Sequence, residues 1–343
     1  MMNFADRLGA KIRQTNNPTV MGLDPVLDYV PESIRTYFRE QCDDAALATG
    51  LAIYEFNRRL IDNTYDLIPA VKLQLAFYEQ YGIHGMEALR QTLLYARKKD
   101  LLVIADAKRN DIGSTAAAYA RAFLGSTTLI DGTSTAFLDA DAITLNGYLG
   151  LDGIQPFLEY CQGQEKTKVQ DKGRDNENTK VQDKGRDNEK GVFILVRTSN
   201  PSAGDLQDLI LSDGRPVFEA MAEKVSIWGE QSVGLLGYSS VGAVVGATWP
   251  LQASRLRRLM PKTFILIPGY GSQGATADDA VRSFGPEGGG AIVNASRSLM
   301  CAWKEHGMKA EQFDQAARLE AEKMRGDLQR AIERKSGLHN NAE

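Results

Sequence analysis

The sequence predicts a single α/β domain that folds as a (β/α)8 barrel, the TIM-barrel architecture. Short apolar runs rich in Val, Ile and Leu occur eight times along the 343 residues, and such runs are typical of parallel strands buried on both faces. Segments with helical patterning separate the runs, and eight strand–helix units in a chain of this length favour a closed barrel. An open, doubly wound sheet would give the same local alternation and is the alternative. The predicted strands are residues 19–23, 68–73, 101–105, 142–145, 192–196, 241–245, 264–267 and 291–293.

Two of the helical segments have clear sequence signals. The segment 43–62 opens with Asp43 and Asp44, which are suited to cap a helix, and continues with apolar residues at helical spacing. Near the C-terminus, apolar residues recur every three to four positions from Phe313 to Ile332 within a charged background. This pattern predicts an amphipathic helix that packs on the barrel as structural cover.

One segment breaks the alternation. The eleven residues TKVQDKGRDNE occur at 167–177 and again at 179–189. The repeat is nearly devoid of apolar residues, and two copies cannot bury a face, so it predicts a flexible surface insertion rather than a solenoid. A partner-binding arm is the alternative. The predicted organisation is a barrel over 1–335, an insertion within it at 163–190, and a disordered tail at 336–343.

Composition excludes several classes of protein. With 43% hydrophobic and 24% charged residues, the chain is typical of a globular domain. The formal net charge of −4 gives no basic footprint of the kind that nucleic acid requires. The three cysteines are widely spaced, which argues against a disulfide framework or a structural zinc site. No signal-peptide pattern and no apolar stretch of about 18 residues is present, so we expect a cytoplasmic protein without membrane association.

The most informative stretch is DAKRND, residues 106–111, at the end of the third predicted strand. Side chains two apart on a strand share a face, so Asp106 and Lys108 point the same way, and Asp111 follows at the start of the next helix. Burying several charges together is costly unless they neutralise one another or serve a site. The structural alternative is that Asp111 caps the helix and that Asp106 and Lys108 form an ordinary ion pair.

Other predicted strands also end in polar residues. Asp24 follows the first strand, Lys72 ends the second, and Ser199 lies in the TSNP sequence after the fifth. Each has a structural alternative as a turn residue or a solvated strand end. In a barrel, however, all these positions meet at the carboxyl ends of the strands, where barrel enzymes have their active sites.

The loops after the seventh and eighth strands indicate an anion site. They read PGYGSQG at 268–274 and NASRS at 294–298. Barrel enzymes often bind phosphate with these two loops, through backbone N–H groups and a helix N-terminus. A tight strand-to-helix turn is the alternative for the glycine-rich loop. The candidate phosphate ligands are Gln273, Ser296 and Arg297.

Taken together, the motifs VKLQ, DAKRND followed by IGSTA, RTSNPSA, PGYGSQGA and NASRS closely resemble the longer bacterial (type 2) branch of the orotidine 5′-phosphate decarboxylases. The resemblance covers nearly the whole chain except the repeat and the tail beyond Lys335. It implies a carboxy-lyase that converts orotidine 5′-phosphate to uridine 5′-phosphate and CO2 in pyrimidine biosynthesis. It also implies that no metal or organic cofactor is needed and that a homodimer shares its active sites.

The resemblance assigns roles to individual residues. Asp111 and Thr115 would come from one subunit, and the lysine–aspartate array from the other. Lys108 would stabilise the carbanion left at C6 and then protonate it, while Asp106 holds Lys108. The implied catalytic residues are Lys72, Asp106, Lys108 and Asp111; the implied binding residues are Asp24 for ribose, Ser199 for the pyrimidine edge, Thr115 across the interface, and Gln273, Ser296 and Arg297 for phosphate.

Two other functions stay open at this point. Related barrel enzymes that act on sugar phosphates resemble this family in an Asp-x-Lys-x-x-Asp strand and use Mg²⁺. The continuation through Arg109 and Asn110, the TSNP loop and Lys72 fit the nucleotide enzyme better. An inactive barrel that serves as a scaffold is the second alternative, and the intact charged residues count against it.

Overall fold

The computed structural model describes residues 2–162, 190–271 and 274–337. Within these residues, eight parallel strands close into a barrel in sequential order, each followed by helical structure. Closure is made by the first strand, where Val20 pairs with Ala70 on one side and with Asn294 on the other. The barrel prediction is confirmed and the open sheet is excluded. The strands are β1 Thr19–Leu23, β2 Ala70–Gln74, β3 Leu102–Arg109, β4 Ala142–Leu145, β5 Gly191–Arg197, β6 Ser239–Val245, β7 Thr263–Ile267 and β8 Ala291–Ala295.

Nine longer helices surround or close the barrel in the described part of the chain. Asp44 caps α3 by accepting hydrogen bonds from the backbone N–H groups of Ala46 and Leu47, so the helix begins just after the predicted caps. The predicted C-terminal amphipathic helix is confirmed as α9 and packs on α3. The nine are α1 Phe4–Thr15, α2 Glu32–Gln41, α3 Ala45–Thr64, α4 Gly82–Lys98, α5 Gly113–Leu124, α6 Leu151–Gln162, α7 Val217–Gly229, α8 Pro250–Leu259 and α9 Phe313–Ser336.

Several short elements fill the connections. Short α-helices occupy Ala76–Glu79, Gly204–Gln207, Ala277–Ala280, Arg297–Met300 and Ala302–Glu305, and 3-10 turns occupy Leu27–Tyr29, Pro201–Ala203, Glu230–Ser232, Val281–Ser283 and Ala310–Gln312. A small antiparallel hairpin that the sequence did not indicate pairs Thr127–Thr128 with Ser134–Thr135.

The interior of the barrel is closed at the amino-terminal ends of the strands. Helix α1 inserts Phe4 there, and its ring packs edge-on against Phe193 with 5.9 Å between ring centroids. A Cβ atom at Gly191 would lie 2.2 Å from the Phe4 ring, so glycine is needed for this close approach. A second, larger apolar core lies between the strands and the surrounding helices. With this end filled, the opposite end is available for a site.

The insertion is attached at the closed end. The repeat at 167–189 lies outside the described residues, but its flanks Gln162 and Lys190 end α6 and precede β5. Lys190 is buried; its Nζ atom lies 2.5 Å from Asp139 and donates to the Ala140 carbonyl at 2.8 Å. The barrel therefore resumes at Lys190, which was predicted to be the last residue of the insertion. Since connections from helix to strand lie at the amino-terminal ends of the strands, the insertion is attached away from the site.

The C-terminal boundary also moves by one residue. Helix α9 continues to Ser336 and is capped by Gly337 in a left-handed conformation (φ 67°); residues 338–343 lie outside the described residues. Among the described helices, none combines the length and apolar composition needed to cross a membrane. The cytoplasmic location stays a prediction.

Candidate active site

A cavity of about 730 Å³ opens at the carboxyl ends of the barrel strands. The ends of β1, β2, β3 and β8 and the loop after β5 place most of the predicted residues in its wall. Predicted residues that line it are Asp24, Lys72, Asp106, Lys108, Ser199, Ser296 and Arg297.

Asp106 lies at the centre of a chain of alternating charges. Its two carboxylate oxygens accept hydrogen bonds from different lysines, Lys72 at 2.8 Å and Lys108 at 2.6 Å. Asp24 extends the chain, since its carboxylate lies 3.6 Å from the Lys72 ammonium. The side chains of Lys72 and Asp106 are 5% and 10% exposed, whereas that of Lys108 is 44% exposed. Lys108 is therefore the most accessible member of the array to a ligand in the cavity.

The electrostatics keep the buried pair ionised. Burial would raise the pKa of Asp106, but the nearby Lys72 and Lys108 ammonium groups outweigh it and hold that pKa well below its usual range. Burial likewise works to lower the pKa of Lys72, but the carboxylates of Asp106 and Asp24 reverse the effect, and the net shift is upward. At neutral pH the cavity wall thus carries fixed charges of both signs.

Lys108 is held in an unusual backbone conformation. The pairing of β3 with β4 is irregular: Ala105 pairs with Ile143 and Arg109 pairs with Leu145. Within this bulge Lys108 has φ 49°, in the left-handed region that L-residues other than Asn and Asp seldom adopt. The bulge breaks the simple alternation of side chains along the strand, and such features are common beside active sites.

Two polar residues that the sequence did not assign complete the surroundings of Asp106. Thr144 Oγ1 donates to Asp106 at 2.8 Å and accepts the backbone N–H of Lys108 at 3.0 Å. Gln74 Nε2 donates to the second Asp106 oxygen at 3.1 Å. Each oxygen of Asp106 thus accepts one charged and one neutral hydrogen bond. The available signal was a single hydroxyl and a single amide at the ends of otherwise apolar strands.

Asp111 and Thr115 do not line the cavity within one chain. Helix α5 has Ile112 as its N-cap residue without a side-chain cap, and the Asp111 carboxylate accepts from the backbone N–H of Ile112 at 2.8 Å, ahead of the helix. The helix-cap alternative for Asp111 is therefore wrong. Thr115 is exposed on the first turn of α5. Neither residue belongs to the wall that the other predicted residues share.

Two of the predicted anion ligands, Ser296 and Arg297, line the cavity where β8 ends beside β1. A Cβ atom at Gly22 would lie 1.9 Å from Ser296 Oγ, so glycine in β1 makes room for this hydroxyl. Asn294 donates to the same oxygen at 3.2 Å. Arg297 follows directly, at the start of the helix Arg297–Met300. Gln273 lies outside the described residues.

Comparison with known proteins places this arrangement in a family. A sequence model of the family described as "Orotidine 5'-phosphate decarboxylase / HUMPS family" matches residues 53–312. The orotidine 5′-phosphate decarboxylase of Caldicellulosiruptor saccharolyticus is 40% identical over 97% of this chain and 100% of that protein. The chain belongs to the orotidine 5′-phosphate decarboxylase / HUMPS family.

Other proteins similar to this chain are also named orotidine 5′-phosphate decarboxylase or OMP decarboxylase. The orotidine 5′-phosphate decarboxylase of Clostridium perfringens (strain SM101 / Type A) is 38% identical over 96% of this chain and 99% of that protein. A structure of Leishmania donovani OMP decarboxylase superposes with a TM-score of 0.64 and 27% identity, covering 95% of this chain and all of that one. The resemblance inferred from the motifs is confirmed at the level of the family.

Proposed function

We propose that this family member decarboxylates orotidine 5′-phosphate to uridine 5′-phosphate and CO2. The observation that carries the proposal is the buried carboxylate of Asp106, bonded to the ammonium groups of both Lys72 and Lys108 at the open end of the barrel. Relatives that match nearly the full length, all named orotidine 5′-phosphate decarboxylase, support it over the sugar-phosphate alternative.

The chemistry needs a fixed cation beside C6 of the pyrimidine. Loss of CO2 leaves an electron pair at C6 that the ring cannot delocalise fully, so an ammonium group in place before the reaction lowers the barrier. Lys108 is the exposed cation of the array and supplies both that charge and the proton that ends at C6. The carboxylate leaves as CO2, and Lys108 is reprotonated by solvent.

The role of Asp106 follows from its partners. It accepts from Lys108, Lys72 and Thr144, and these bonds orient the Lys108 ammonium without reorganisation during the reaction. We infer that preorganisation of Lys108 is its main contribution, and that repulsion of the substrate carboxylate is secondary.

The remaining cavity residues fit the other parts of the nucleotide. Asp24 and Ser199 both line the cavity. Asp24 is proposed to accept from ribose hydroxyl groups, and Ser199 to bond the pyrimidine edge. Ser296 and Arg297, together with Gln273, are proposed to bind the phosphate. Binding energy gained at the phosphate, remote from C6, can assist the chemical step as well as affinity.

We further propose a homodimer in which Asp111 and Thr115 complete the site of the partner subunit. Their position outside the cavity of their own chain supports this arrangement. The first turn of α5 also carries the exposed apolar side chain of Ile112, 58% accessible in one chain, as expected beside a protein interface. Equilibrium sedimentation of the protein tests the dimer directly.

The test of the function is the loss of orotidine 5′-phosphate absorbance on adding purified, EDTA-treated protein, with uridine 5′-phosphate identified as the product. Turnover that survives EDTA supports the proposal. Turnover that requires added Mg²⁺, or activity only with a sugar phosphate, would favour the metal-dependent alternative. A folded protein that binds uridine 5′-phosphate without turnover would favour the scaffold alternative.

A further inference from the structure

The segment 198–200, between β5 and the 3-10 turn Pro201–Ala203, is held by a cluster that the catalytic proposal does not use. Arg197 ends β5 just before the segment and is completely buried, as no other arginine among the described residues is. Its guanidinium forms an ion pair with Asp208 at 2.9 Å and lies 4.2 Å from the ring centroid of Trp249. Burying an arginine without such partners would cost stability. Asp208 and Trp249 therefore compensate for the burial of Arg197.

Two side chains next to Arg197, those of Gln207 and Trp249, form hydrogen bonds with Thr198. Gln207 accepts the backbone N–H of Thr198 at 3.0 Å and donates to its hydroxyl at 2.7 Å. Trp249 Nε1 donates to the Thr198 carbonyl at 2.9 Å. Arg197 Nη1 lies 3.5 Å from the same Gln207 oxygen. The arginine therefore contacts both Gln207 and Trp249. Every polar group of Thr198 is thereby engaged by this cluster or by Asn200, whose side chain accepts from the Thr198 hydroxyl at 2.6 Å.

The hydrogen bonds to Thr198 also restrict the position of the next residue, Ser199. Ser199 has its backbone packed against Gly246, where a Cβ atom would lie 2.8 Å from Ser199 Cβ. Thr248 donates to the Ser199 carbonyl at 3.3 Å. Ser199 therefore projects into the cavity from a backbone held on both sides, whereas loop residues ordinarily have more freedom.

We propose that Gln207 and Trp249, held by the buried Arg197, are positioning residues that fix Ser199 against the heterocyclic edge of the nucleotide. The inference rests on the proposed function, in which Ser199 bonds the pyrimidine. Hydrogen bonds to a planar ring demand accurate placement, and a small displacement of the donor removes much of their value. The cluster therefore affects recognition of the base, and it does not affect binding of the phosphate.

The test compares Gln207→Met with wild type, using Gln231→Met, on an exposed turn away from the cavity, as the matched control. We expect kcat/KM for orotidine 5′-phosphate to fall about tenfold in Gln207→Met, the loss typical of one or two neutral hydrogen bonds. Affinity for ribose 5-phosphate, which lacks the base, should stay within about twofold of wild type. Gln231→Met should match wild type in both measurements.

A double-mutant cycle with Ser199→Ala separates positioning from general disruption. If Gln207 acts through Ser199, then Gln207→Met should cost less than about threefold once Ser199 is already alanine. Trp249→Phe keeps an aromatic ring beside Arg197 and removes the Nε1 donor together with part of the indole. It should show the same coupling if Gln207→Met does not fold.

Three results would overturn the positioning role: unchanged kcat/KM in Gln207→Met, an equal tenfold loss in the Ser199→Ala background, or a parallel loss of ribose 5-phosphate affinity. Absence of turnover in wild type would refute the proposed function instead. In that case, the ratio of uridine 5′-phosphate to ribose 5-phosphate affinity in wild type and Gln207→Met still decides the positioning role.

Discussion

Replacing Asp106 by asparagine tests whether the charged array is a stabilising unit as well as a catalytic one. Asparagine keeps the shape and can still accept from Thr144, but it leaves two ammonium groups without their shared carboxylate. Removing one partner of a buried ion pair commonly costs about 3–5 kcal/mol. Lys72 keeps Asp24 at 3.6 Å and Lys108 is 44% exposed, so we expect the lower end of that range. About 3 kcal/mol corresponds to roughly a 150-fold change in the folding equilibrium.

The assay is urea-induced unfolding followed by circular dichroism, comparing wild type, Asp106→Asn, and the double variant Lys72→Met/Asp106→Asn. The double variant removes the buried cation together with its partner, and methionine fills a similar volume. We expect it to be more stable than Asp106→Asn by about 1 kcal/mol or more, since an uncompensated buried charge is the costly species. If the double variant is instead less stable than Asp106→Asn, the reasoning that the lone Lys72 charge causes the loss is refuted.

Four further outcomes follow from the same geometry. Lys108→Ala should remove nearly all turnover while keeping affinity for uridine 5′-phosphate, measured by single-turnover kinetics and calorimetry; normal activity would contradict its assignment as the acid. Thr144→Val, which removes both bonds of that hydroxyl, should lower kcat by about tenfold or more with little change in KM, and an unchanged kcat would show that Lys108 needs no such support. Because its neighbours hold the pKa of Asp106 below the unfolded value of about 3.9, the stability it contributes is complete above that pH and is lost below it. The difference in unfolding free energy between wild type and Asp106→Asn should therefore narrow as the pH falls below about 4, and a constant difference between pH 7 and 3 would count against the ion pairs. Deleting residues 165–189 should leave kcat/KM near wild type, and a folded but inactive deletion would show that the repeat is more than a passive insertion.

The sequence was sufficient to locate the array because charge is conspicuous in a buried strand. Asp106 and Lys108 interrupt a run that otherwise has the composition of a core strand, and a barrel places the ends of all its strands at one opening. Lys72 gave a weaker signal, since a lysine at a strand end is usually solvated. Its burial became evident only when β2 was placed beside β3, with Gln74 in register with Asp106.

Features that depend on backbone detail could not be predicted in this way. Thr144 gave only a weak signal, because one hydroxyl in an otherwise apolar strand is ordinary. The left-handed conformation of Lys108 occurs in the bulge between β3 and β4. A lysine in the sequence does not predict such a bulge. The two hydrogen bonds between Gln207 and Thr198 join residues nine apart in the chain. They depend on the geometry of the intervening turn, which the amino-acid composition does not determine.

The two ends of the barrel divide stability and function between them. At the amino-terminal end, Phe4 and Phe193 fill the interior, and buried Lys190 is paired with Asp139. At the other end lie the left-handed backbone of Lys108 and four neighbouring charges, features that are typical of functional sites and not of stabilising cores. Because the repeat precedes Lys190 at the filled end, we expect that its length or charge can change without moving the array.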